Sequence, residues 1–242
     1  MQNKGLNIVI IGASGGLGSE FVRQLSEDKE VKSIFAFSRS EIEFNNNKIE
    51  SYFIDIEDEE SIKLSVATAS KNANIDVVIV ATGMLYDEDI KPEKSLRDLS
   101  KEKFSKLFSI NAIAPAIIAK HFLPKLNKDT KSIFAVLSAR VGSISDNRLG
   151  GWYSYRASKS ALNMILKNAS IEIGRSNQKA IIVGLHPGTV DSKLSKPFQK
   201  AVNKEKIFTA EYSAQKLLGV ISNLDQSDSG STIDFNGIRI DF

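Results

Sequence analysis

The sequence lacks cysteine and has only two histidines among its 242 residues. Without thiols it cannot form disulfides, zinc–thiolate sites or a cysteine nucleophile, and this absence fits the reducing cytosol. Two histidines give a Ser-His-Asp triad little support, and no G-x-S-x-G turn is present. The acidic run Glu57-Asp58-Glu59-Glu60 has no histidine near it and suits a helix N-terminus. We therefore expect no metal site.

Long apolar runs and an excess of charge of one sign are also absent. No stretch approaches the ~18 consecutive apolar residues of a membrane span, and the first apolar run is too short for a signal peptide. The 32 Lys and Arg residues nearly balance 29 Asp and Glu, which leaves a net charge of +3. The basic residues are scattered, with no patch interleaved with aromatic residues. These features predict a cytoplasmic protein that binds neither membranes nor nucleic acid.

Short apolar runs alternate with longer amphipathic ones over the whole chain. The apolar runs are rich in Val, Ile and Phe and show little strict alternation, which is typical of strands covered on both faces of a parallel sheet. The pattern predicts an α/β fold: a single Rossmann-type domain over residues 1–242, with a doubly wound parallel sheet of about seven strands and helices on both faces. The predicted strands are Asn7–Ile11, Ser33–Ser38, Glu50–Ile54, Asp76–Ala81, Ser132–Ser138, Ala180–Leu185 and Thr232–Phe235. The predicted helices are Gly16–Glu27, Glu59–Ser70, Lys101–Leu126, Trp152–Arg175 and Ala210–Asn223.

Three long breaks interrupt this alternation, at Met84–Ser100, Ala139–Gly151 and His186–Thr209. Each follows the carboxyl end of a predicted strand, where open α/β sheets bind their ligands. We therefore expect the three loops to converge over one site.

The first strand runs into a glycine-rich turn, Gly12-Ala13-Ser14-Gly15-Gly16-Leu17-Gly18. Glycines let the backbone approach a ligand closely, and the following helix offers N–H groups and a positive dipole end to a phosphate. The spacing is G-x-x-x-G-x-G, without the Lys-Ser/Thr that a P-loop requires. It favours a dinucleotide site, against the alternative of a flexible turn with no ligand. The candidate residues are Gly12, Ser14, Gly15, Gly16, Leu17 and Gly18.

The end of the second strand indicates which dinucleotide would bind. An acidic residue at this position grips the ribose 2′-hydroxyl in NAD-binding folds. Here the strand ends in Ser38 and Arg39, and arginine makes charge-assisted bonds to phosphate. We therefore expect NADP(H) rather than NAD(H). The alternatives are a solvated loop arginine and an NAD-dependent alcohol dehydrogenase of the same fold.

Tyr155 and Lys159 stand one helical turn apart at the start of the fourth predicted helix. Side chains at i and i+4 share a helix face, with Cβ atoms about 5–6 Å apart. A neighbouring ammonium lowers the pKa of a phenol from its usual value near 10. Tyr155 would then serve as a general acid in carbonyl reduction or as a base in alcohol oxidation. Tyr153 faces elsewhere on the helix, and we interpret it as a packing or substrate-loop residue.

With these motifs in place, the chain resembles the short-chain dehydrogenase/reductase family over essentially its whole length. Gly12-x-x-x-Gly16-x-Gly18, Tyr155-x-x-x-Lys159 and Pro187-Gly188 occur in the order and at the distances of that family. The stretch 150–159, with His186 before Pro187-Gly188, is most similar to the C-factor and sniffer-type carbonyl reductase branch. The resemblance implies NADPH-dependent reduction of a small carbonyl compound. It also implies a homodimer or homotetramer, built through the helices Lys101–Leu126 and Trp152–Arg175.

The resemblance also implies residue roles. Tyr155 would donate the proton, Lys159 would lower its pKa and bind the nicotinamide ribose, and Asn111 would hold a water of the proton relay. Asp55, with Ile56, would meet the adenine, although Asp55 also suits a helix N-cap. The remaining cofactor-binding residues implied are Ser38, Arg39, Ala81, Gly83, Pro187, Gly188, Val190 and Ser192.

The chain departs from the family at the catalytic serine. The family's Ser-Ser-x-x-Gly is here Ser138-Ala139-Arg140-Val141-Gly142, so the strict register places alanine at the catalytic position. We predict Ser138 as the substitute, with Ser143 or no serine as alternatives. The usual asparagine before Ala81-Thr82-Gly83 is missing as well. These departures keep open a second interpretation, a dinucleotide-binding signalling or regulatory protein with little or no turnover.

Overall fold

A computed structural model describes residues 5–201 and 207–242. These residues form ten strands and six α-helices in an alternating order. The strands are β1 (Leu6–Ile11), β2 (Val31–Ser38), β3 (Ile49–Phe53), β4 (Val77–Val80), β5 (Ser132–Leu137), β6 (Ala180–His186), β7 (Thr189–Val190), β8 (Ile207–Phe208), β9 (Thr232–Asp234) and β10 (Arg239–Ile240). The helices are α1 (Gly16–Glu27), α2 (Glu59–Ala69), α3 (Lys101–Phe108), α4 (Ala114–Phe122), α5 (Tyr153–Gly174) and α6 (Ala210–Asn223).

The main sheet confirms the predicted doubly wound topology, with one more strand than expected. Its eight strands run in the order β10-β9-β6-β5-β4-β1-β2-β3, and only the β9–β10 pair is antiparallel. Strand β10 was missed because two residues are too few for a sequence pattern. Asp234 builds the turn before it by accepting main-chain N–H bonds from Asn236 and Ile238. Strands β7 and β8 form a separate two-stranded sheet.

Strand β1 shows why the predicted strands are apolar throughout. Val9 and Ile11 pack on one face of the sheet, in a core shared with α2, α4 and α5. Ile8 and Ile10 pack on the other face, with α1 and α6. Full burial of such a side chain stabilises the fold by about 1.5–3 kcal/mol. The central strands are therefore fixed from both sides, and their carboxyl ends are rigid supports for a site.

The predicted long helix Lys101–Leu126 is present as a helical run, but it is not uniform. A π-helical turn, Ser109–Ile113, separates α3 from α4. By length and composition alone, the run Lys101–Lys125 could cross a membrane. Half of its most apolar part is buried in the fold, and Ile118 and Phe122 pack in the core beneath the sheet, as in the core helix of a globular protein.

Candidate active site

The carboxyl ends of β1, β2, β3 and β4 open onto a cleft of about 560 Å³. It lies where the strand order reverses between β1 and β4, the usual ligand position in such sheets. Many of the predicted cofactor residues line it, together with others that the sequence did not indicate. The lining residues are Gly12, Ser14, Gly15, Ser38, Arg39, Ser40, Ile54, Ile56, Ala81, Thr82, Gly83, Met84, Leu85, Tyr86, Asp87, Lys106, Ile110, Lys193 and Leu194.

The glycine turn forms one wall of the cleft. Gly12 has a positive φ of 90°, and a Cβ there would lie 2.9 Å from the Thr82 side chain and 3.0 Å from the Ala81 carbonyl carbon. A Cβ on Gly18 would lie 2.1 Å from the Gly12 carbonyl oxygen. Helix α1 starts after Gly15 with no side-chain cap and no acidic residue in its first turn. Its first N–H groups and positive dipole end therefore suit a phosphate.

Three basic residues line the cleft: Arg39, which was predicted, and Lys106 and Lys193, which were not. Arg39 is exposed at the end of β2, beside the buried Ser38, whose hydroxyl donates to the Ser40 carbonyl. Lys106 of α3 lines the same cleft and pairs with Glu57 at 3.0 Å. The hydrogen bond from Lys106 holds the pKa of Glu57 below its usual value. No local sequence signal indicates Lys106, because the fold brings it in from a distant helix.

The residues predicted beside the adenine divide into two groups. The predicted Ile56 lines the cleft, together with Ile54, which was not predicted. Asp55 is half-buried and lies outside the lining; its carboxylate accepts from the Glu57 N–H at 3.0 Å. It caps the turn before α2, while the N-cap of α2 itself is Asp58. The alternative that Asp55 is the N-cap of this helix is therefore wrong, because Asp58 occupies that position.

The side-chain hydroxyl of Thr82 also indicates that the cleft accepts a polar ligand. Its Oγ1 is buried and has no hydrogen-bond partner within the described residues. A buried polar atom left unpaired costs about 1–3 kcal/mol. Because Thr82 lines the cleft, a polar group bound there would remove that cost.

Tyr155 and Lys159 lie together on α5, as predicted. Both are buried, at 7% and 3% exposure. The Lys159 Nζ donates to the Leu137 carbonyl at 2.9 Å and lies 6.0 Å from the centre of the Tyr155 ring. A Cβ on Gly83 would lie 3.6 Å from this Nζ and 3.6 Å from the Asn111 Oδ1. The cleft wall at Gly83 therefore borders Lys159 and Asn111. Neither Tyr155 nor Lys159 is itself a lining residue, but Tyr155 packs with Leu85, which is one.

The expected pKa shift of Tyr155 is wrong in direction. Burial raises the pKa of the Tyr155 phenol to about 12 and lowers the pKa of the Lys159 ammonium to about 8. The lysine bonds to a carbonyl and lies beside the tyrosine ring, so desolvation of the charged forms outweighs their mutual attraction. Tyr155 is consequently protonated at neutral pH, as a proton donor must be.

Asn111 lies in the π-helical turn and is fully buried. Its Oδ1 accepts from the Met84 N–H, and its Nδ2 donates to the Met84 carbonyl, both at 2.8 Å. The Nδ2 also donates to the Ser158 hydroxyl at 3.1 Å. The amide thus joins the loop after β4 to helix α5. Isolated π turns are frequent at functional sites, which fits this placement.

The structure gives the two candidate serines other partners. The Ser138 hydroxyl donates to the Asn163 Oδ1 at 2.7 Å, under α5. Ser143 accepts from the Asp146 N–H at 3.1 Å. Neither hydroxyl bonds to Tyr155 or Lys159 within the described part of the chain. Ala139 instead packs against the hydrophobic cluster that contains Tyr155. The catalytic role of Ser138 therefore has no contact in its favour and stays a prediction.

The loop after β6 holds the remaining predicted residues. Gly188 has a φ of 75°, and a Cβ there would lie 2.7 Å from the Phe208 ring. The Pro187 carbonyl accepts from Ser213 at 2.8 Å, Val190 is buried in β7, and Ser192 follows it half-buried. These four residues lie outside the cleft lining, to which the loop contributes Lys193 and Leu194.

Aromatic side chains cover Tyr155. The centre of the Trp152 ring lies 6.2 Å from the ring centre of Tyr155 and 5.0 Å from that of Phe198. The ring centres of Tyr86 and Phe198 lie 5.6 Å apart. We call Tyr86, Trp152, Tyr155 and Phe198 the aromatic cluster. Tyr86 comes from the first long loop, Phe198 from the third, and Ala139 and Val141 pack against the cluster from the second, which confirms that the three loops converge. Sequence reasoning missed Tyr86 and Phe198, because no motif surrounds them.

Residues 6–203 match the family model for short chain dehydrogenases. The chain therefore belongs to the short-chain dehydrogenase family and is an oxidoreductase. It is 27% identical to 1-hydroxy-2-glutathionyl-2-methyl-3-butene dehydrogenase of Rhodococcus sp. strain AD45 over 225 residues, 92% of this chain and 93% of that protein.

Two further comparisons bear on the branch and the fold. The C-signal of Myxococcus xanthus is 30% identical over 146 residues, 60% of this chain and 82% of that protein, which confirms the predicted C-factor resemblance. The NADPH-bound carbonyl reductase from chicken fatty liver has the same fold, with a TM-score of 0.85 at 23% identity. That match covers 98% of this chain and 95% of the chicken chain.

Proposed function

We propose that the protein reduces small carbonyl compounds with NADPH and that Tyr155 donates the proton. The observation that carries this proposal is the buried Tyr155–Lys159 pair, which borders a cleft walled by the glycine turn. The NADPH bound by the chicken carbonyl reductase of the same fold supports the choice of cofactor.

The residues present fit a dinucleotide phosphate. Gly12, Ser14, Gly15, Gly16, Leu17 and Gly18, with the N-terminus of α1, would hold the pyrophosphate, and Arg39 with Lys106 would meet the 2′-phosphate. Ser38, Asp55 and Ile56 would lie at the adenosine, and Ala81, Gly83, Lys159, Pro187, Gly188, Val190 and Ser192 toward the nicotinamide. When bound, the cofactor supplies the hydride.

The protein's own contribution is the proton. Tyr155 keeps its hydroxyl proton at neutral pH and passes it to the oxygen of the substrate carbonyl as that oxygen gains negative charge. The nearby Lys159 ammonium then stabilises the phenolate. Asn111 holds α5 against the loop after β4, so that the tyrosine keeps its position. Its place at Gly83 also suits the predicted role of holding a relay water.

A cofactor titration tests this function. Trp152 is the only tryptophan, so its emission reports binding through energy transfer to a reduced nicotinamide. We expect NADPH to bind more tightly than NADH. Arg39→Ala should raise the NADPH Kd roughly tenfold to a hundredfold, the value of a lost charged hydrogen bond, with little change for NADH.

Arg97→Ala is the matched control for this titration, because Arg97 is exposed and lies outside the cleft lining. It should change neither Kd. An unchanged ratio of NADPH to NADH affinity in Arg39→Ala would remove Arg39 as the phosphate-binding residue. Tighter NADH binding by the wild type would replace the NADP assignment with NAD.

The pH dependence of turnover provides a second prediction. Burial lowers the pKa of Lys159 to about 8, so its charge is lost as the pH rises through that value, while Tyr155 stays protonated. We expect kcat at saturating NADPH to be level below about pH 8 and to fall above it. Lys159→Arg keeps its charge and should move the fall to higher pH. A fall at the same pH in both proteins would assign it to another group.

A signalling protein with little turnover is the second candidate. The C-signal relative and the alanine at the usual serine position favour it. Cofactor binding without reduction of benzil, isatin or 4-nitrobenzaldehyde would support this alternative.

For either function we propose one cytoplasmic domain over residues 1–242 in a homodimer or homotetramer. Ile113, Met164 and Ile171 are exposed on the two long helices and support such an assembly.

A further inference from the structure

Glu93 is a buried charged residue that no motif explains. It lies in the loop between β4 and α3 and is 1% exposed. Its Oε1 accepts from the Ser154 hydroxyl at 2.6 Å, and its Oε2 accepts from the Ser154 N–H at 3.3 Å. Its main-chain carbonyl accepts from the Trp152 N–H at 2.6 Å. These three bonds fall on the two residues that flank the start of α5.

Helix α5 has no cap of its own. The first N–H groups of a helix have no intrahelical acceptor, and a Ser, Thr, Asp or Asn at the N-cap normally supplies one. The N-cap here is Trp152, which has no side-chain acceptor. Glu93, 61 residues before Ser154, supplies the acceptor instead. Its negative charge also complements the positive end of the helix dipole.

The main-chain carbonyl of Glu93 holds Trp152 in an unusual backbone conformation. Trp152 has φ 50° and ψ 43°, the left-handed region, and it is the one non-glycine residue with positive φ among those described. Such a residue persists only where the surrounding structure holds it. In this conformation the indole lies against Tyr155 and Phe198. The bond to the Glu93 carbonyl thus fixes the residue that covers the proposed proton donor.

We propose that Glu93 is a positioning residue for the reaction: its buried carboxylate caps α5, and its carbonyl fixes Trp152, so that the helix start and the aromatic cluster hold Tyr155 in place. This inference rests on the proposed function. It assigns Glu93 an effect on turnover and not on cofactor affinity, since the glycine turn and Arg39 lie on other elements.

The test compares Glu93→Gln, Glu93→Ala and the wild type in three measurements: Trp152 emission, NADPH Kd, and kcat for benzil, isatin or 4-nitrobenzaldehyde. Glu93→Ala keeps the main-chain carbonyl but loses the carboxylate that ties this loop to Ser154. We expect the contact to Trp152 to loosen, so that the indole becomes more exposed and its emission shifts to longer wavelength. The kcat of Glu93→Ala should fall roughly tenfold to a hundredfold, as expected for a misplaced reacting group, with an unchanged NADPH Kd. Glu93→Gln keeps an acceptor oxygen, so its Trp152 emission and its kcat should lie between those of Glu93→Ala and the wild type. It also serves if the alanine variant does not fold.

Asp98→Asn is the matched control. Asp98 is another carboxylate of this loop that caps a helical turn, by accepting from the Lys94 and Ser95 N–H groups, and its bonds do not reach α5. It should lower thermal stability only.

A folded Glu93→Ala protein with wild-type emission and kcat would overturn the positioning role. So would a loss of kcat matched by Asp98→Asn. If the wild type reduces none of the carbonyls, the proposed function fails, while the emission of the variants still decides whether Glu93 fixes Trp152.

Discussion

Tyr155→Phe is expected to lower kcat for carbonyl reduction by about 10²–10⁴-fold, the usual contribution of a general acid. The substitution removes only the hydroxyl. The ring keeps its packing against Leu85, Leu107 and the other aromatic side chains, so the fold and the NADPH Kd should change little. Steady-state rates with an activated carbonyl, a Trp152 emission titration and a thermal melt measure the three quantities.

Tyr153→Phe is the matched control for this experiment. Tyr153 lies two residues away on the same helix and is half-buried. It should keep the wild-type kcat. A Tyr155→Phe protein that turns over at the wild-type rate would place the proton donor elsewhere, and equal losses in both variants would indicate a general disturbance of the α5 start.

Gly18→Ala is expected to damage stability and cofactor binding together. The added Cβ would lie 2.1 Å from the Gly12 carbonyl oxygen. The backbone fixes the positions of both atoms, so no side-chain rotation can separate them. The glycine turn must open to relieve this contact. We expect a loss of about 3 kcal/mol in the free energy of unfolding, or roughly 6–12 °C in Tm for a chain of this length. NADPH affinity should fall with it, because the turn is a wall of the cleft.

Gly219→Ala provides the comparison for Gly18→Ala. Gly219 lies within α6, and a Cβ there meets no heavy atom within 4 Å. Alanine should stabilise this helix by about 0.4–1 kcal/mol, chiefly by restricting the unfolded chain. Melts and NADPH titrations on both variants would separate a general effect of added side chains from the clash at Gly12. A Gly18→Ala protein as stable as Gly219→Ala would contradict the close approach.

Local patterns in the sequence account for most of the fold. The seven predicted strands lie within two residues of observed ones, because runs buried on both faces are continuously apolar. The glycine turn and the Tyr155–Lys159 pair were predictable for the same reason: each is a short-range spacing that fixes geometry directly. The predictions failed where the local sequence does not determine the structure, as at the two-residue strand β10 and the π turn at Asn111.

The unpredicted parts of the site depend on the tertiary structure. Lys106, Phe198 and Glu93 reach it from distant segments, and no local spacing marks them. The direction of the Tyr155 pKa shift depends on how much water the phenol loses, which the i, i+4 rule does not contain. The partner of Ser138 was likewise decided by the packing of α5 against the end of β5.

Tyr86 and Phe198 reach Tyr155 from two of the long loops, whereas the glycine turn and the Tyr155–Lys159 pair stand on a strand end and a long helix. The walls around Tyr155 can therefore change independently of the groups that would do the chemistry. Substitutions within residues 84–100 or 193–201 that keep the buried Leu85 and Glu93 would alter these walls without touching either core of the sheet. A change of substrate would then leave the proposed proton donor and cofactor site in place. In the laboratory, a library confined to the exposed positions of those two loops would explore new substrates at little risk to folding.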